Sequence, residues 1–105
     1  MTTSTEQEFV RRILIEAIEG CGIRHWAGVQ HWDGEAAAVI TDLGGDSFRL
    51  TVENLIPLVR AHFGGVVDRS PMEVDSYLAD EILQTQLFGG VIYRTQVQRR
   101  PTTGV

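Results

Sequence analysis

Apolar residues at Phe9, Val10, Ile13, Leu14, Ala17 and Ile18 recur at the spacing of one helical face, with Arg11, Arg12, Glu16 and Glu19 opposite them. Ser4 with Gln7, and Thr5 with Glu8, carry the hydroxyl and Gln/Glu spacing of a capping box, and Gly20 is placed to stop the helix. A first helix is predicted over about residues 5–19. The period then changes. Ile23 to Trp32 and Ala36 to Asp42 read as strands joined by Asp33-Gly34, a favoured two-residue hairpin signal. Gly44-Gly45 turns the chain again into Ser47-Phe48-Arg49-Leu50, completing an antiparallel meander.

Beyond the meander, Thr51 or Asn54 caps a second helix that reaches about His62 and stops at Gly64-Gly65. Pro57 is tolerated best in a first turn, which favours Asn54 as the cap. Ser70-Pro71-Met72-Glu73 is a further start signal for a third helix, with Val74, Leu78, Ile82 and Leu83 facing inward and an end near Leu87, before Gly89-Gly90. Val91-Ile92-Tyr93 is expected to close the sheet edge as a fourth strand. The prediction is an α+β fold: a three- to four-stranded antiparallel sheet with three helices, in the order α-β-β-β-α-α-β. It forms a single domain over residues 1–93, followed by a flexible C-terminal tail over 94–105.

Counting back from the two turns pairs Trp26 with Thr41, Gly28 with Val39, Thr41 with Phe48 and Val39 with Leu50. Trp26, Val39, Phe48 and Leu50 then form the core face. The opposite face holds His25, Ala27, Val29, His31, Ala36, Ala38, Ile40 and Arg49, and is unusually apolar for a surface in water. A covering helix or tail, or a bulge that breaks this register, would explain it structurally. An interface with a partner chain or a second copy would explain it functionally. The candidate binding face is therefore His25, Ala27, Val29, His31, Ala38, Ile40 and Arg49.

Charge narrows the partners. The chain has 105 residues and a net charge of −5, with no Lys, which argues against general affinity for DNA or RNA. Arg94, Arg99 and Arg100 would give a salt slope of only about −3. An acidic decoy of DNA would need carboxylates at phosphate-like spacing on one face. No apolar run approaches the roughly 20 residues of a membrane span, and the N-terminal MTTSTEQEF is polar and acidic, unlike a secretion signal. A cytoplasmic location is expected, and the single Cys cannot form an internal disulfide.

The stretch from Gly20 to Gly34 concentrates candidate chemistry: the only Cys, both Trp and two of the three His. If His25 and His31 share a strand, they lie roughly 20 Å apart and cannot bind one metal. Cys21 follows a helix C-terminus, the negative end of the macrodipole, which disfavours a thiolate. It reads as a small buried residue in a tight connection. Asp33, Glu35, Asp42 and Asp46 cluster where turns favour Asp, and the paired glycines are not spaced as phosphate loops. No catalytic residue, cofactor or metal site is assigned, and an enzymatic role is disfavoured.

Two blocks, ILIEAIEGCGIRHWAGV (13–29) and ADEILQTQLFGGVIY (79–93), resemble a family of small uncharacterised actinobacterial and actinophage proteins. In that family a helix ending in Glu-Gly-Gly runs into an aromatic strand with Tyr-Trp, and a late Ala-Asp-x-Ile-x-Gln helix precedes Leu-Phe-Gly. Glu19-Gly20, Trp26, Ala79-Asp80, Ile82, Gln84 and Leu87-Phe88-Gly89 match the pattern, while Cys21 and His25 stand in place of Gly and Tyr. The resemblance covers about a third of the chain. It implies a cytoplasmic bacterial or phage accessory protein and no catalytic residue, because no activity is known for the family.

The resulting expectation is a non-enzymatic protein-interaction or regulatory module that binds another protein or itself as a homo-oligomer. One alternative is a small-molecule-binding protein or small enzyme with a pocket between sheet and helices, using His25, His31, His62, Asp33, Asp80 and Arg49. The other is a nucleic-acid-related accessory protein.

Overall fold

The computed structural model describes residues 4–93; the tail expected over 94–105 lies outside them. Helix α1 (Ser4–Ile18) buries every residue of the expected apolar stripe, together with Glu6 one turn earlier. Ser4 and Thr5 lie inside the helix instead of capping it. The helix also ends differently from the expectation. Cys21, not Gly20, takes the left-handed conformation, with φ 64°. The Gly22 and Ile23 amides fold back onto the Glu16 and Ala17 carbonyls, each at 3.1 Å. Tight bonding of this kind continues to Ala27, whose N–H donates to the Ile23 carbonyl at 2.9 Å. Ile23–Trp26 is therefore spent in a turn, not in strand.

Three strands follow, β1 (Ala27–Trp32), β2 (Ala37–Asp42) and β3 (Ser47–Thr51), in one antiparallel sheet of order β1-β2-β3. The register corrects the expected one. Gly28 pairs with Thr41 and Val29 with Ile40, while Ile40 pairs with Phe48 and Ala38 with Leu50. The turns are longer than two residues, which moves the register. Asp33 Oδ1 accepts the amides of Glu35, Ala36 and Ala37 at 2.8–3.1 Å, and Asp42 Oδ1 accepts that of Asp46 at 2.9 Å. A one-residue slip between β2 and β3 turns β2 over relative to the predicted faces, while Trp26, Phe48 and Leu50 keep the core side expected of them. Ala38, Ile40 and Leu50 are core, and Val39 lies on the other side.

Helix α2 (Val52–Phe63) starts without a linker. Its N-cap is Thr51, in a reciprocal capping box with Asn54, so the expected Asn54 cap is displaced by three residues. Pro57 sits inside this helix; it and Glu53, whose carbonyl it cannot bond, are both exposed, so water can satisfy that carbonyl. Ser70 caps only a 3-10 turn, Pro71–Glu73. Helix α3 (Ser76–Phe88) is capped separately by Asp75 and ends on Gly89 at φ 85°. Gly22 lets α1 meet the start of α3, because a Cβ there would come within 2.6 Å of the Ser76 carbonyl oxygen.

The three helices pack on one another and, with the inward residues of the sheet, form one core around Trp26, Phe9, Ile13, Leu14, Ile40, Leu55 and Ile82. Val91–Tyr93 does not add a fourth strand. The Ile92 and Tyr93 amides are satisfied by a side chain of α3.

Candidate functional site

The expected binding face is divided by the fold. Ala27, Ala38 and Ile40 are buried in the core, and Val29 is half-buried against it. His31 and Arg49 are exposed on the opposite side, flanking Val39 in one cross-strand row. A β-bulge between Val29 and His31 makes this division: Gln30 and His31 both face outward and Trp32 returns to the core side. His25 is in the turn before β1, apart from the sheet face.

The outward face consists of three short rows: Gly28, Thr41 and Ser47; His31, Val39 and Arg49; Ala37 and Thr51. Thr41 and Ser47 are hydrogen-bonded to each other at 3.2 Å. None of these eight residues is acidic; Gln30 also faces outward, and exposed Asp33, whose amide donates to the Ala37 carbonyl at 3.1 Å, bounds the face beside His31. Both sheet edges are blunted. On β1 the bulge interrupts the ladder. On β3, the bonds Val52 N–H to Ala36 and Asp42 N–H to Asp46 fix the phase, so Arg49 and Thr51 point their backbone groups away from β2. The Asn54 carboxamide meets both, accepting the Thr51 amide at 2.9 Å and donating to the Arg49 carbonyl at 2.8 Å.

A second cluster brings together His25 and Asp80, two polar groups of the expected pocket, and adds Trp26 and Gln84 to them. Asp80 Oδ1 accepts Trp26 Nε1–H at 2.7 Å and Gln84 Nε2–H at 2.9 Å. His25 Nε2 lies 3.5 Å from Asp80 Oδ2 and 3.3 Å from the Tyr93 carbonyl oxygen. The Tyr93 ring stacks on Trp26 with centroids 5.7 Å apart and planes within 6°, and Phe88 meets both rings edge-on. Gln84 was part of the matched Ala-Asp-x-Ile-x-Gln block but carried no functional reading. Its burial at i+4 from Asp80, on the inward side of α3, is the signal that could have found it.

Glu6 is the other polar group missed. It is buried and receives Arg60 Nε and Nη2 at 2.8 and 2.6 Å and the Val67 amide at 3.1 Å. The Arg60 hydrogen bonds hold its carboxyl below the usual range against the opposing effect of burial, and the Arg60 guanidinium is held correspondingly higher. The sequence reading placed Glu6 in a capping segment, although it lies three and four residues before Phe9 and Val10, on their stripe.

Cys21 is exposed, not buried as expected, and its nearest partner is the Glu19 carbonyl at 4.0 Å. His62 packs its ring against Phe63, far in sequence from the other two His. Among the described residues no group of three His, Cys, Asp or Glu is placed to hold a metal ion, and no helix is long and apolar enough to cross a membrane. A groove of about 290 Å³ lies between α1 and the 3-10 turn, lined by Glu8, Arg11, Arg12, Ile15, Pro71 and Met72. Arg11 and Arg12 are engaged there with Glu8 and Glu16.

Fold and site define an α+β protein with a helical layer on one side of a small sheet and, on the other, an outward face whose paired rows carry no carboxylate. No family model, curated protein or solved structure matches the chain.

Proposed function

We propose that this chain is a non-enzymatic interaction module, bacterial or phage in origin as the two resembling blocks imply, that binds a partner protein through the outward face of its sheet. The observation that carries this reading is the face itself. Most side chains in its paired rows are small and none is a carboxylate, Asp33 standing only at its edge, and Arg49 and His31 flank the half-buried Val39. Such a surface fits a flat protein patch with a carboxylate placed to meet Arg49. The face is favoured over the edges, because Asn54 and the bulge leave little free ladder for an added strand.

The test is a photo-crosslinker placed at Val39, compared with one at exposed Glu53 on α2, in cells that express the full chain. A discrete adduct from position 39 alone, lost when Arg49→Glu is added, is expected. Identical adducts from both positions, or none from position 39, would overturn the reading. Sedimentation of the purified chain distinguishes a second copy from a different protein as the partner.

A further inference from the structure

We propose that the cleft formed by Trp26, Phe88 and Gln84 is a receptor for an extended segment bearing an aromatic ring, and that Val91–Tyr93 of a second copy of this chain fills it by exchange. The argument begins with what Gln84 recognises. Its side chain is fully buried; besides the bond from Nε2 to Asp80 Oδ1, its carboxamide reaches the segment through main-chain groups alone. Oε1 accepts the Ile92 and Tyr93 amides at 3.0 and 2.7 Å, and Nε2 donates to the Tyr93 carbonyl at 2.8 Å. The Ile92 side chain is 58% exposed. Recognition thus rests on extended backbone plus one ring, the Tyr93 ring stacked on Trp26 and edge-on to Phe88.

The segment is attached in a way that permits exchange. No strand ladder holds it. It is joined to α3 through Gly89, at φ 85°, and Gly90, where an added Cβ would meet nothing within 4 Å. Two such glycines can redirect the chain at little steric cost. A second copy offers the same backbone and the same ring, so exchange preserves every contact in the cleft and must overcome only the entropy of association. This site uses none of His31, Val39 or Arg49 and stands independently of the sheet-face reading.

Two full-length variants test it by complementation. Gln84→Ala keeps the segment and breaks the cleft, whereas Tyr93→Ala keeps the cleft and breaks the segment. Mixed at equal high concentration, they should form a heterodimer by native mass spectrometry, at least tenfold more abundant than either homodimer. In parallel, a synthetic GVIYRT peptide should bind Tyr93→Ala saturably by calorimetry, and GVIART at least tenfold more weakly. If Gln84→Ala does not fold, Gln84→Met takes its place, and the peptide titration does not depend on either. No heterodimer, together with no saturable binding to a Tyr93→Ala chain of native circular dichroism, overturns the proposal. Peptide binding without a heterodimer overturns exchange between copies and assigns the cleft to a segment of another protein.

Discussion

Glu6 and Gln84 each hold a short irregular segment against a helix from a fully buried position, and they do so with different chemistry. Glu6 uses charge: it is paired with Arg60 and accepts the Val67 amide. Val67 is itself buried and lies in a loop fixed at both ends, between α2 and the 3-10 turn. Gln84 uses a neutral amide. It meets three main-chain groups of a segment that follows Gly89-Gly90 and leaves Ile92 exposed. A buried charge is locked in place because removing its partner strands it. A neutral carboxamide can release its segment to water, where both sides recover hydrogen bonds. The first is a structural fastening, and the second is suited to opening.

Truncation separates them most strongly. Glu6→Ala leaves the Val67 amide and the Arg60 guanidinium without their shared acceptor and should cost about 3 kcal/mol of global stability. Urea unfolding checks it. Gln84→Ala should cost less, about 1–2 kcal/mol, while amide exchange at Ile92 and Tyr93 rises far more than exchange in α1. If Gln84→Ala lowered global stability as much as Glu6→Ala, the segment would belong to the cooperative core and the contrast would fail.

Acid sharpens the same contrast. The carboxyl of Glu6 titrates below its ordinary value when folded, so its contribution is complete above the unfolded pKa and is lost as pH falls through the folded one. The stability difference between the wild type and Glu6→Gln should therefore shrink as pH drops below about 4.5. Asp33, held low by the backbone amides of Ala36, Glu35 and Ala37, acts in the same direction in both chains and cancels in the difference. The difference between the wild type and Gln84→Ala should stay flat over the same range. Denaturation midpoints measured from pH 7 to 3 test both statements.

The helices were legible in the sequence because their apolar stripes are local, although their N-caps fell elsewhere: Ser4 and Thr5 lie inside α1, Thr51 and not Asn54 caps α2, and Asp75 and not Ser70 caps α3. The stripe from Phe9 to Ile18 is buried as read, and α3 ends at Gly89 as expected. The sheet faces were not legible, because they depend on parity. Asp33 and Asp42 build turns longer than their glycines suggest, the bulge adds one residue to β1, and each shifts which residues face inward. Two long-range pairings were also hidden. Glu6 meets Arg60 and Trp26 meets Asp80 across 54 residues in each case, and no local spacing encodes such a pair. Carboxamides replaced strands twice, Asn54 at the β3 edge and Gln84 beneath Val91–Tyr93. In sequence Asn54 read as a helix cap and Gln84 as an ordinary polar helix residue.

The smallest predicted effect tests whether opening of the segment is truly local. Cys21 holds φ 64° without being glycine, a conformation that costs an L-residue about 1 kcal/mol. Part of any gain from glycine there is lost to its greater freedom in the unfolded chain. Cys21→Gly should therefore raise global stability by only about 0.5 kcal/mol, without touching Glu6, Gln84 or their partners. Combined with Glu6→Ala it should recover that increment in the urea midpoint, because Glu6 acts on the whole fold. Combined with Gln84→Ala it should recover the same increment in global unfolding yet leave exchange of the Tyr93 amide unchanged, because local opening does not pass through the unfolded state. Slower Tyr93 exchange in that double variant would mean that the segment opens only when the whole domain does, and the Gln84 fastening would then be as structural as that of Glu6.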